Sequence, residues 1–139
     1  MFNSPKLTAL VYAALIIGAQ AETHIITFTN LCGRGVPTSK ENGVTLSTGG
    51  AVTFEGCLMV ETTLVNPTTP GSGSSTDLTL ITPHSFSVTT GFGYFGGCNG
   101  AGADCVSASC TTAFHVSTDT GVQVACQSDN VNLAIAFCD

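Results

Sequence analysis

Tryptophan is absent from this 139-residue sequence, tyrosine occurs twice, and only Lys6, Arg34 and Lys40 are positively charged. A chain so poor in Lys and Arg cannot neutralise a run of phosphates. That removes the main source of nucleic-acid affinity and makes the chain a poor ligand for anionic membranes. Helical periodicity is missing too, since no apolar pattern holds a 3.6-residue spacing over eleven residues beyond the first twenty or so. No stretch approaches the roughly 20 apolar residues of a membrane helix. The only Asn-x-Thr triplet in a loop, Asn66-Pro67-Thr68, carries the excluded proline, so any glycan is expected to be O-linked in the Thr/Ser/Pro loop 68–76. His24, His84 and His115 share no metal-ligand spacing, and no metal or other cofactor is expected.

What is present begins with a leader. Lys6 supplies a short positive region, residues 7–17 are mostly apolar, and Ala19-Gln20-Ala21 fits a small-x-small cleavage site. Residues 1–21 therefore read as a signal peptide, and residues 22–139 as one secreted, extracellular domain. Removing 21 residues from 139 leaves 118, enough for one domain and short for two. Two cations against nine acids give that domain a formal charge of −7.

All seven cysteines fall inside it: Cys32, Cys57, Cys98, Cys105, Cys110, Cys126 and Cys138. In an oxidising compartment that density indicates a disulfide framework with one cysteine over. Bridges worth roughly 2–5 kcal/mol each would rival the net stability of so small a domain.

Short β-branched and alternating runs follow one another with turn signals between them. They cover residues 25–29, 44–47, 51–54, 59–65, 76–81, 85–89, 112–116, 122–126 and 131–138, with Asn42-Gly43 and Gly49-Gly50 as hairpin signals. Such a series specifies an all-β sandwich or barrel. The glycine-dense stretch 91–102 is expected to be a loop with Phe92 and Tyr94 partly exposed. Gly91-Phe92-Gly93-Tyr94-Phe95-Gly96 matches G-x-G-x-x-G in letters alone. It opens no helix, and a helix N-terminus is what holds a pyrophosphate.

The stretch with the most functional content is 58–88. Val60, Thr62 and Leu64 alternate with Glu61 and Thr63, and Leu78 and Leu80 alternate with Asp77 and Thr79. If both aliphatic faces pack inward, Glu61 and Asp77 point outward on a hydroxyl-lined surface. Such a pair can accept hydrogen bonds from sugar hydroxyls, can work as acid and nucleophile or base on a glycosidic bond, or can simply solubilise the surface.

The beginning of the domain, Ile26-Thr27-Phe28-Thr29-Asn30-Leu31-Cys32, and its end, Ala134-Ile135-Ala136-Phe137-Cys138-Asp139, resemble the first and last strands of thaumatin-like proteins. Leu46-Ser47-Thr48-Gly49-Gly50, Val60-Glu61-Thr62-Thr63-Leu64 and Thr76-Asp77-Leu78-Thr79-Leu80 resemble that family's strands in the same order. More closely, residues 60–138 resemble small secreted fungal glycopeptide proteins, regarded as miniature relatives of the group. The resemblance implies a flattened, thaumatin-like β-sandwich with Cys32 bridged to Cys138, and with Cys98–Cys105 and Cys110–Cys126 as local staples.

It also implies an acidic cleft for β-glucans, in which Glu61 and Asp77 match cleft carboxylates. The next cleft acid would fall near Thr82, which is no acid. The relatives carry a longer segment before Cys57, with a cysteine and the cleft Arg. Its shortening here leaves Cys57 unpaired, expected as a small buried hydrophobe or as a dimer link. The expected function is thus binding of cell-wall polysaccharide or of a surface protein through Glu61, Asp77, Phe92 and Tyr94, without catalysis. The alternatives are a weak endo-β-glucanase using Glu61 and Asp77, and a secreted antimicrobial or effector protein.

Overall fold

The structure, a computed structural model, describes residues 21–48 and 57–139. Almost all of the expected leader, and the expected strand 51–54, lie outside them. Every regular element in the described residues is a β-strand; there is no helix. In chain order these are β1 (Ile26–Asn30), β2 (Thr38–Glu41), β3 (Val44–Thr48), β4 (Met59–Thr63), β5 (Ser74–Thr79), β6 (Thr90–Phe95), β7 (Gly102–Cys105), β8 (Ala113–Phe114), β9 (Val124–Cys126) and β10 (Asn132–Phe137).

One sheet runs β1-β10-β6-β7, with β1 parallel to β10 and the remaining neighbours antiparallel. A second is centred on β5, which pairs antiparallel with β4 along one edge. Its other edge is shared: β8 takes Leu78 and Thr79 in parallel, and β9 takes Ser74 to Thr76 antiparallel. β2 and β3 form a separate hairpin. Its turn is Asn42-Gly43, where both residues have positive φ (49° and 78°). Two such residues make the turn that matches strand twist, which is why Asn-Gly suits it.

The core is drawn from both larger sheets. Leu78 and Leu80 from one meet Phe92, Tyr94, Leu133 and Ile135 from the other, with Val131 and Cys105 filling between them. Leu78, Leu133 and Val131 are completely buried. Each such aliphatic side chain contributes about 1.5–3 kcal/mol by leaving water.

Several sequence expectations are corrected. The stretch read as a glycine loop is β6, the third strand of its sheet. Glycine is required at Gly102, where a Cβ would strike the Phe92 carbonyl, and at Gly91 a Cβ would displace the Asp104 carboxylate. Close approach of β6 and β7 thus selects glycine where propensity disfavours it. Conversely, residues 85–89 form no strand. Phe86 does pack against the core, so the alternation there reports one-sided burial without a ladder. His24, close to the start of the described residues, is anchored: its Nδ1 donates to the Val131 carbonyl at 2.6 Å, and its side chain is only 12% exposed.

The bridges re-sort as well. Cys32 is bonded to Cys138, as the resemblance implied, but the remaining pairs are Cys98–Cys126 and Cys105–Cys110, not Cys98–Cys105 and Cys110–Cys126. The reason lies in the β6–β7 register. Cys105 sits opposite Thr90 at the start of β6, whereas Cys98 lies in the turn beyond its far end. At ~3.3 Å of rise per residue, the three steps from Gly102 to Cys105 alone separate them by roughly 10 Å, past the ~7 Å limit for a bridge. Cys98 reaches instead across to β9 and ties the two larger sheets together.

Non-reducing peptide mapping by mass spectrometry should therefore recover Cys98 linked to Cys126, and Cys105 linked to Cys110. Replacing both Cys32 and Cys138 by Ser opens a loop of 106 residues and should cost about 4–5 kcal/mol of stability, read by denaturant titration.

Candidate functional site

β4 and β5 pair so that Val60 faces Leu78, Glu61 faces Asp77, and Thr62 faces Thr76. Leu78 is fully buried in the core, so alternation puts Val60, Thr62, Thr76 and Leu78 on the inner face. Met59, Glu61, Thr63, Ser75, Asp77 and Thr79 take the outer one. The two carboxylates expected to lie together are therefore direct cross-strand partners, whose Cβ atoms stand about 4.5–5.5 Å apart.

The inner face fixes that register with hydroxyls. Thr62 Oγ1 is 2.7 Å from Thr76 Oγ1, and Thr76 Oγ1 is 2.8 Å from the Tyr94 hydroxyl. The Tyr94 hydroxyl in turn donates to the Val124 carbonyl at 3.1 Å. A carbonyl can only accept, so the chain has one direction: Tyr94 donates to Val124, Thr76 to Tyr94, and Thr62 to Thr76. Burial raises the Tyr94 pKa and the nearby Asp77 charge adds to this, against the hydrogen bond from Thr76.

On the outer face the two acids differ. Glu61 is exposed and Asp77 is buried, with only 7% of its surface open. The expectation that both lie open to solvent fails for Asp77. β5 is an inner strand of its sheet, with β4 on one flank and β8 and β9 on the other, so neighbouring side chains cover it. Gln123 Nε2 donates to Asp77 Oδ2 at 3.4 Å, while Asp77 Oδ1 is buried without a partner. Burial first, and then the Glu61 charge, raise the Asp77 pKa above the ordinary carboxylate value; the Gln123 hydrogen bond opposes them.

The other sequence candidates lie elsewhere. Phe92 and Tyr94 are 5% and 3% exposed, packed edge to face at 6.3 Å in the core, and have no surface on which a sugar could stack. β6 alternates them with Gly91 and Gly93, which sends both aromatic rings to the inner face. Cys57 is unpaired and exposed, not buried; its carbonyl accepts from His84 Nδ1 at 3.1 Å.

Two outer-face residues escaped the sequence reading. Phe114 stands in register with Thr79 and is half-buried. Gln123 reaches Asp77 across 46 positions. Only the alternation of β8 and β9 hinted at their side, and nothing local hinted at their partners. Elsewhere, the Asp119 carboxylate accepts from the His115 and Val116 amides, which lower its pKa. Among the described residues no group of three or more His, Cys, Asp or Glu side chains could hold a metal ion.

Comparison of the chain with protein-family models, curated proteins and solved structures finds no match.

The raised Asp77 pKa has a signed consequence. Between the ordinary carboxylate value and the raised folded value, the folded state holds more protons than the unfolded one, so this group makes stability fall as pH rises through that window. Asp77→Asn should remove this contribution, flattening the acid side of the stability profile and raising the melting temperature at neutral pH. A variant less stable than the parent at neutral pH would show that the Asp77 charge is favourably held.

Proposed function

We propose that this protein is a secreted, disulfide-stapled β-sandwich of the thaumatin-like kind that binds a neutral cell-wall polysaccharide of the β-glucan type without cleaving it. The observation that carries the reading is the Glu61–Asp77 register. It sets an exposed carboxylate beside a buried one whose Oδ1 lacks a partner, on a face that also carries Thr63, Ser75 and Thr79. Carboxylates accept strong hydrogen bonds, and the exposed Glu61 carboxylate is placed to accept them from sugar hydroxyls. Phe114, on the same face, takes over the stacking role expected of Phe92 and Tyr94. A leader-like N-terminus and three bridges support secretion. Two sheets that share one core support the sandwich.

The asymmetry of the pair supports a second reading. A buried carboxyl with a raised pKa beside an exposed one matches the division of labour in glycoside hydrolysis, with Asp77 as acid and Glu61 as nucleophile or base.

Retention on insoluble β-1,3-glucan tests both. Glu61→Gln should weaken retention about ten- to hundredfold, the loss of one hydrogen bond to a charged group, with Asp77→Asn and Phe114→Ala weaker as well and no reducing sugar released by the parent. Retention unchanged in the double variant would end the binding reading. Reducing sugar released by the parent and abolished by either substitution would replace it with the hydrolase.

A further inference from the structure

A second surface lies on the other side of β4. The inner face of the β1-β10 pair is only partly covered: Ile26 and Phe28 remain 38% and 40% exposed. With Ile135 and Phe137 of β10 they line a groove of about 790 Å³. Residues 58–62 and 34–40 also line it. β4 ends its sheet there, with no strand on its outer edge among the described residues. The volume falls within the roughly 300–1,000 Å³ of small-molecule sites, and an apolar face left open marks an interaction surface.

The charge distribution narrows the ligand. After the expected leader the chain has two cations against nine acids. Both cations, Arg34 and Lys40, line this groove, whereas Glu61 is the only acid among its described lining residues. His84 is the remaining titratable nitrogen there, and Cys57 brings its thiol to the same groove. An acidic protein thus gathers its cationic charge around a partly open apolar surface. A peptide strand added to the β4 edge would be held by backbone hydrogen bonds and would give the cations no role. A carboxylate on an acyl chain uses both features.

We propose that the groove binds a free medium-chain fatty acid, with its carboxylate at Arg34 on the wall that also carries Lys40 and its chain along Ile26, Phe28, Ile135 and Phe137. A bidentate guanidinium–carboxylate pair would fix the head, and burial of methylenes would supply the affinity. This site draws on inner-face side chains of β1 and β10 and meets the polysaccharide-binding face only at Glu61, which borders both.

Monomeric dodecanoate tests the proposal, with dodecanol as the uncharged control and maleimide labelling of Cys57 as the readout of occupancy. Dodecanoate should protect Cys57, and each two-carbon shortening of the chain should weaken protection by about tenfold. The Arg34→Gln/Lys40→Gln variant should bind dodecanoate roughly tenfold more weakly, bind dodecanol as before, and keep its glucan retention. Equal binding of dodecanoate and dodecanol by parent and variant would overturn the proposal, as would the absence of protection. So would a dimer that hides Cys57 and persists in dodecanoate, or retention on anionic phospholipid vesicles with no response to the monomeric acid.

Discussion

The structure depends most on the register between β4 and β5. A side-chain period of two means that a slip of one residue sends every side chain on a strand to the opposite face. Here the register is held from inside by the relay Thr62–Thr76–Tyr94–Val124, which spans β4, β5, β6 and β9. Thr76 is fully buried and Tyr94 nearly so. A hydroxyl stranded there would cost about 1–3 kcal/mol, so the relay penalises any other pairing. Its consequence on the outside is the Glu61–Asp77 pair. Like charges directly opposite each other are unfavourable across strands, and burial of Asp77 adds to that strain. The buried carboxyl with its orphaned oxygen is the cost of a register set by the core.

Sulfur supplies the second constraint. Cys32–Cys138 ties the end of β1 to the end of β10, and Cys98–Cys126 joins the β6 turn to β9 across the two larger sheets. Both restrict the unfolded chain over long separations, where the entropic gain is greatest. Cys105–Cys110 closes a loop with a separation of only 5 and acts locally.

The fold class was legible in the sequence because alternation is local. β10 reads directly from Leu133 and Ile135, and β4 and β5 from their Thr-rich alternation. β6 was not legible: its glycines pointed by local propensity to a loop, while its pairing with β7, where Gly102 abuts the Phe92 carbonyl, is visible only in the fold. The same holds for β2, whose Thr38–Glu41 run looks polar and turn-like until Asn42-Gly43 folds it onto β3. The bridge pattern depends on strand register, and composition carries none of that. Of the candidate site, the nearness of Glu61 and Asp77 was legible from matched alternation. The burial of Asp77 was not, because it arises from Gln123 and from strands that meet β5 from far along the chain.

The most direct test of this account is the β4–β5 register in solution, read by NMR from cross-strand NOEs between backbone protons. The account predicts contacts of Glu61 with Asp77 and of Val60 with Leu78, together with a slowly exchanging Thr76 amide. Contacts of Glu61 with Thr76 or Leu78 instead would contradict it, because such a slip would part the two carboxylates.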